Sequence, residues 1–144
     1  MAKVLYTAQA HVDGGRADGH GRTSDGAVEV DFRSPTQMGG DGGGTNPEQL
    51  FALGYAGCFS SSLARVARRE KVDSGPISID SKVMLSPAEG GGFKLGVTLD
   101  VTLAGMADAD AAVELVRAAH QVCPYSNATR GNMDVFLTAN GQAL

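Results

Sequence analysis

Asn46-Pro-Glu-Gln-Leu-Phe-Ala-Leu-Gly-Tyr-Ala-Gly-Cys-Phe-Ser-Ser-Ser-Leu-Ala64 is the stretch on which the fold turns. Asn46 suits a helix cap, Pro47 the first turn, and Glu48 and Gln49 the positive end of the helix dipole. From Leu50 to Ala64 every side chain is apolar or small, and charge returns only at Arg65, Arg68, Arg69, Glu70 and Lys71. A helix without a polar side is a buried one. In a small domain, burial all round implies coverage by a second subunit.

Outward from this helix the chain alternates. Val4, Tyr6, Ala8, Ala10 and Val12 share one face of a predicted first strand, and Val28, Val30 and Phe32 one face of a second. Between them Asp13 to Gly26, rich in Gly and Asp, reads as a long mobile loop. After the helix, Ile77 to Leu85 and Phe93 to Leu103 predict a hairpin, the second strand facing inward with Phe93, Leu95, Val97, Leu99, Val101 and Leu103. A further helix spans about Asp108 to Gln121, presents Ala112, Leu115, Val116 and Ala119 to the core, and stops near Cys123 because Pro124 follows. A last strand carries Met133, Val135 and Leu137. The order is β-β-α-β-β-α-β, an α+β class, in one domain spanning 1–144.

Composition narrows the function. The 144 residues are 42% apolar and 19% charged, with a net charge of −4 and no dense basic block. Nucleic acid and an anionic membrane surface are therefore not expected partners. The start lacks a long apolar core, and Leu50 to Ala64 reads as too short and too rich in Gly and Ser to span a bilayer, which points to a cytoplasmic protein. Met38-Gly-Gly-Asp-Gly-Gly-Gly-Thr45 lacks the Lys-Ser/Thr ending of a phosphate-cradling loop. With no Cys-x-x-Cys and three scattered histidines (His11, His20, His120), no metal site is expected. Two cysteines in a reducing compartment point to redox chemistry instead.

Cys58 sits mid-helix among Gly54, Ala56, Gly57 and Ser60 to Ser62. It reads either as a small buried hydrophobe or as a sulfur lining a pocket. Two helix-interior glycines, at about 1 kcal/mol each, are tolerated where something approaches the backbone closely. Cys123-Pro-Tyr-Ser126 resembles a glutaredoxin site that has lost its second thiol, but it follows a helix and comes late, where a glutaredoxin cysteine opens a helix.

Asn46-Pro-Glu-Gln-Leu-Phe-Ala52, Gly54-Tyr-Ala-Gly-Cys-Phe59 and Val122-Cys-Pro-Tyr-Ser-Asn-Ala-Thr-Arg-Gly-Asn132 together resemble the organic hydroperoxide resistance proteins, the Ohr branch of the OsmC superfamily. The likeness runs through nearly the whole chain in order, and the segment after Cys123 marks the Ohr branch. It implies an OsmC-like fold and a thiol peroxidase acting on alkyl or fatty-acid hydroperoxides, with Cys58 peroxidatic and Cys123 resolving. It also implies that Arg16 pairs with the reactive thiolate and that Glu48 holds Arg16. The loop is slightly longer than the family's, so Arg22 stands as the alternative to Arg16. The implied reductant is a lipoyl-type dithiol, from a lipoylated protein or dihydrolipoamide, with no bound cofactor.

The implied roles are chemically sensible. A thiol with a pKa of about 8.5 is only about 3% ionised at pH 7, and a guanidinium that lowers it by about 2 units supplies roughly 2.7 kcal/mol. Each residue also has a plainer reading: Glu48 favours a helix N-terminus, Arg16 is solvated, Arg130 caps a turn or binds substrate, and Tyr125, Phe51 and Phe59 are core. Glu48 and Cys58 lie ten residues apart, roughly 15 Å along a straight helix, so one arginine cannot serve both within it. Either two chains interlock as a homodimer, with Arg16 and Glu48 of one serving Cys58 of the other, or the helix breaks. The rival functions are a non-enzymatic stress-response or binding module with a structural disulfide, and a redox sensor, for which no DNA-binding element is visible.

Overall fold

The computed structural model describes residues 2–144, which form two compact units divided between Leu50 and Phe51. The first holds a small antiparallel sheet, β1 (Ala10–Asp13), β2 (His20–Thr23) and β3 (Glu29–Asp31), in that order. The strand expected over residues 4–12 therefore forms only at its end. β2 offers four residues, and its register pairs Ala10 with Thr23 and Asp13 with His20, so nothing in the sheet lies opposite residues 2–9. Val4, Leu5 and Tyr6 stay exposed. The expected mobile loop 13–26 is corrected too, since it contains β2. His20 ties that strand to β3: Nδ1 meets Asp31 at 2.8 Å and Nε2 meets Glu29 at 3.0 Å. Phe32, just past β3, is buried and lies 3.0 Å from where a Cβ on Gly21 would stand.

Helix α1 (Pro47–Glu70) begins as its sequence predicts, with Asn46 Oδ1 accepting from the Gln49 amide at 2.9 Å. It runs unbroken to Glu70. By length and composition it is also long and apolar enough to cross a membrane, more than Leu50 to Ala64 alone implied. Its Tyr55, Phe59, Leu63 and Val66 side chains instead form a buried stripe at helical spacing. The opposite face is not covered: Leu53 is 73% exposed, and Gly57 and Ser61 are exposed with it. Burial on every side is thus not achieved by one chain. The mid-helix serines turn inward to their own backbone, Ser61 donating to the Gly57 carbonyl and Ser62 to that of Cys58, both at 3.1 Å.

The second unit is built on a four-stranded sheet in the order β4 (Ile77–Pro87), β5 (Phe93–Leu103), β6 (Asp134–Ala139) and β7 (Gln142–Ala143). β4 and β5 form the expected hairpin, Ile77 opposite Leu103 and Val83 opposite Val97. Val97, Leu99, Val101 and Leu103 face inward, whereas Phe93 is 71% exposed because it closes the hairpin beyond the reach of the helices. β6 runs parallel to β5, which requires a crossover. That crossover is α2 (Ala109–Val122) and a short second helix, α3 (Pro124–Thr129). Asp108 caps α2 by accepting from the Asp110 and Ala111 amides, and Ala112, Leu115, Val116 and Ala119 are buried. The observed order, β-β-β-α-β-β-α-α-β-β, adds β2, α3 and β7 to the predicted one. It leaves the α+β class unchanged.

Ser74-Gly75 meets Ala104-Gly105 at the far end of the hairpin, backbone against backbone. Gly75 has φ +63°, and a Cβ there would lie 2.4 Å from the Gly105 nitrogen. Gly75→Ala should combine left-handed strain with that collision, lowering stability by about 2–4 kcal/mol and Tm by several degrees in thermal denaturation.

Candidate active site

Two cysteines, far apart in sequence, meet in the second unit. Cys58 sits halfway along α1, partly buried; Cys123, fully buried, closes α2 and opens α3. The Cys123 backbone is fixed from both sides, its amide donating to the Ala119 carbonyl at 2.9 Å and its carbonyl accepting from the Asn127 amide at 2.9 Å. Its dihedrals, φ −65° and ψ 124°, are the extended ones that a following proline imposes. Pro124 therefore stops one helix and starts another, occupying a first-turn position where its missing N–H costs nothing. The two sulfurs stand 3.7 Å apart, both as free thiols. A disulfide needs about 2.05 Å, so closure asks for a side-chain rotation and a small shift.

Electrostatically the site is one-sided. Burial pushes the Cys58 thiol above its ordinary pKa, the Tyr125 backbone amide opposes that, and the neighbouring Cys123 adds to the rise. That amide belongs to the first turn of α3, where N–H groups have no partner within the helix. On these terms alone Cys58 is a poor nucleophile at neutral pH.

Aromatic rings cluster on the same two helices. Tyr125 lies tilted at 5.6 Å from Tyr55 and edge-on at 6.0 Å from Phe51, and Phe59 lies 6.5 Å from Tyr55. The close-approach reading of the helix glycines holds at Gly54, where a Cβ would stand 2.9 Å from the Tyr125 hydroxyl. At Gly57 nothing lies within 4 Å. Arg130 takes the capping reading: it donates to the His120 carbonyl at 2.6 Å and to Asn127 Oδ1 at 2.9 Å.

A group the sequence did not single out lies beside the sulfurs. The Tyr55 hydroxyl meets Ser126 Oγ at 2.9 Å and Thr129 Oγ1 at 3.2 Å, and Ser126 Oγ meets His120 Nδ1 at 2.8 Å. Burial, with a contribution from Arg130, lowers the His120 pKa and favours the neutral ring. The available signal was spacing: Tyr55 stands three residues before Cys58, and Ser126 three after Cys123.

In the first unit Arg16 and Glu48 form a two-pronged ion pair, Nη1 to Oε2 at 2.7 Å and Nη2 to Oε1 at 2.8 Å. Arg22 instead lies exposed on β2, opposite His11 and Glu29. The bond from Arg16 holds the Glu48 carboxyl below its ordinary pKa and raises that of Arg16. Both prongs occupied, the guanidinium plane is fixed. Because α1 is continuous, a helix break is no longer a route by which Glu48 and Cys58 come together.

Among the described residues no group of three or more His, Cys, Asp or Glu side chains is arranged to hold a metal. The glycine-rich turn lines a cavity of about 270 Å³ with Arg33, Met38 and Asp41, where Arg33 is already engaged by the Phe32 and Gly19 carbonyls.

The fold and site together define a small α+β protein with two sheets and an unjoined thiol pair, one on α1 and one at the α2–α3 joint. The OsmC-like protein family matches residues 40–138. The organic hydroperoxide resistance protein of Xanthomonas axonopodis pv. citri is 51% identical over 94% of this chain and 95% of its own, and organic hydroperoxide resistance protein OhrB of Bacillus subtilis is 47% identical over 93% and 97%. A crystal structure of an organic hydroperoxide resistance protein from Legionella pneumophila superposes with a TM-score of 0.90 at 48% identity, covering 94% of this chain and 98% of that one. The chain belongs to the OsmC family, on its organic hydroperoxide resistance branch.

The depression at Glu48 sets a pH dependence. A lowered carboxylate pKa contributes stability above the unfolded value and loses it as pH falls through the folded one. The Arg16–Glu48 pair should thus persist down to below pH 4.5, the ordinary Glu value. Carbon-detected NMR titration should find the Glu48 midpoint below that value, and Arg16→Met should raise it.

Proposed function

We propose that the chain is a cysteine-based organic hydroperoxide reductase, and that the two free thiols 3.7 Å apart, in a family whose members carry hydroperoxide resistance in their names, are what support this best. The Cys58 thiolate attacks the outer oxygen of an alkyl or fatty-acid hydroperoxide. The O–O bond breaks, the alcohol leaves after taking up a proton, and Cys58 becomes a sulfenic acid. The Cys123 sulfur then attacks the Cys58 sulfur, the S–O bond breaks, and the hydroxide leaves with the Cys123 proton as water. A lipoyl-type dithiol reduces the disulfide by exchange and is itself oxidised to a cyclic disulfide. No bound cofactor enters the cycle.

Ionising a sulfur that burial pushes the wrong way needs a cation, and Arg16, aimed by Glu48, is the one proposed. The same guanidinium donates to the peroxide and to the departing alkoxide. We assign it to a second copy of the chain in an intertwined homodimer. Supporting this are the uncovered Leu53 face of α1 and the exposed, alternating Val4 and Tyr6 segment, each an apolar surface left without a neighbour. A cycle that returns to two thiols needs reducing surroundings, so the proposed setting is the cytoplasm, away from membranes and nucleic acid.

The peroxidase reading predicts that wild type, supplied with dihydrolipoamide, consumes tert-butyl or cumene hydroperoxide, and that Cys58→Ser does not. Equal rates would favour an inert structural pair instead. The dimer assignment predicts complementation. Arg16→Met and Cys58→Ser, each inactive alone, should regain about one quarter of wild-type activity when unfolded together and refolded, because half the dimers carry one intact site of two. No recovery on mixing would put Arg16 in the same chain as the sulfur it serves.

A further inference from the structure

The polar cluster beside the thiols contains four hydrogen bonds and four protons, and their arithmetic gives it a direction. Thr129 Oγ1 lies 3.3 Å from the Ser126 carbonyl, which only accepts, so Thr129 donates there. Tyr55 must then donate to Thr129, Ser126 must donate to Tyr55, and His120 must donate through Nδ1 to Ser126. Only this order satisfies all four contacts, with Ser126 fully buried and Thr129 nearly so. It puts a proton on His120 Nδ1, and since burial lowers that ring's pKa, the neutral form favoured is the Nδ1–H tautomer, which a free imidazole disfavours.

The chain of bonds parallels the thiol pair. Tyr55 and Cys58 are three apart on α1, on one face of that helix; Cys123 and Ser126 are the cap and third residue of α3. A bond of 2.9 Å between Tyr55 and Ser126 therefore sets the rotation and height of the start of α3 against α1, one turn from where the sulfurs stand 3.7 Å apart. His120, on the last turn of α2, anchors the other side of Ser126.

We propose that the directed chain His120–Ser126–Tyr55–Thr129 positions Cys123 for disulfide closure, with Ser126 as its central positioning residue. It acts on the step in which the Cys123 sulfur bonds to the Cys58 sulfur and water departs. The inference rests on the peroxidase reading only for the purpose of that step. Closure can be driven without hydroperoxide, by a glutathione buffer that oxidises the pair through a mixed disulfide and releases reduced glutathione.

The test compares wild type with Ser126→Ala, and with Tyr55→Phe should the first variant fail to fold. In glutathione buffers, the effective concentration of Cys123 toward Cys58 should drop roughly tenfold or more in either variant. Under hydroperoxide, the Cys58 sulfenic acid trapped by dimedone should persist correspondingly longer. Nitrogen-15 NMR of wild type should show His120 protonated at Nδ1, and Ser126→Ala should shift the proton toward Nε2. Wild-type closure in the variants, or an Nε2-protonated His120 in wild type, would overturn the proposal. A wild type that closes normally in glutathione yet ignores hydroperoxide would remove the peroxidase reading and leave this one intact.

Discussion

In the proposed reaction, keeping a partly buried sulfur ionised is the constraint on which the rest depends. The packing that shelters Cys58 against the hydrophobic core also raises its pKa, because a thiolate loses solvation on burial. Burial strengthens every charge close to the sulfur, so the proposed thiolate calls for a fixed cation to offset its lost hydration. The Tyr125 amide contributes in that direction, yet burial remains the larger influence. Arg16, clamped by both oxygens of Glu48, is the cation proposed for that role.

The fold answers a second requirement, bringing two distant sulfurs together without bonding them at rest. A parallel β5–β6 pair forces a crossover, and the crossover supplies α2, the turn at Cys123 and α3. Pro124 makes that turn sharp. Gly54 lets the Tyr125 ring lie against α1, and the Tyr55–Ser126 bond holds the joint. Packing, rather than a covalent link, holds the resting separation.

Much of this was legible in the sequence where one local rule dominates. The alternation over Phe93 to Leu103 fixed β5 to the residue, and Asn46 and Asp108 marked their helix starts because capping is a local event. Reading failed where the cause is not local. His20-Gly-Arg-Thr23 has no apolar alternation, so β2 is invisible until its neighbours and the His20 ties are seen. Residues 4–8 alternate well but lack a partner within the chain. Pro124 was legible as a stop and not as a start, and α3 is too short for periodicity to show. The Cys58–Cys123 assignment came from family likeness, which left Arg16 and Arg22 as alternatives; only the Arg16–Glu48 ion pair distinguishes them, and spacing alone supports neither.

The most direct measurement is the ultraviolet titration of the Cys58 thiolate near 240 nm, in a Cys123→Ser background that leaves one sulfur to observe. The account predicts a midpoint below the ordinary thiol value in the otherwise wild-type protein. With Arg16→Met added, the midpoint should climb above the ordinary thiol value, where burial alone would put it. A sulfur that titrates at or above that ordinary value with Arg16 present would contradict the account.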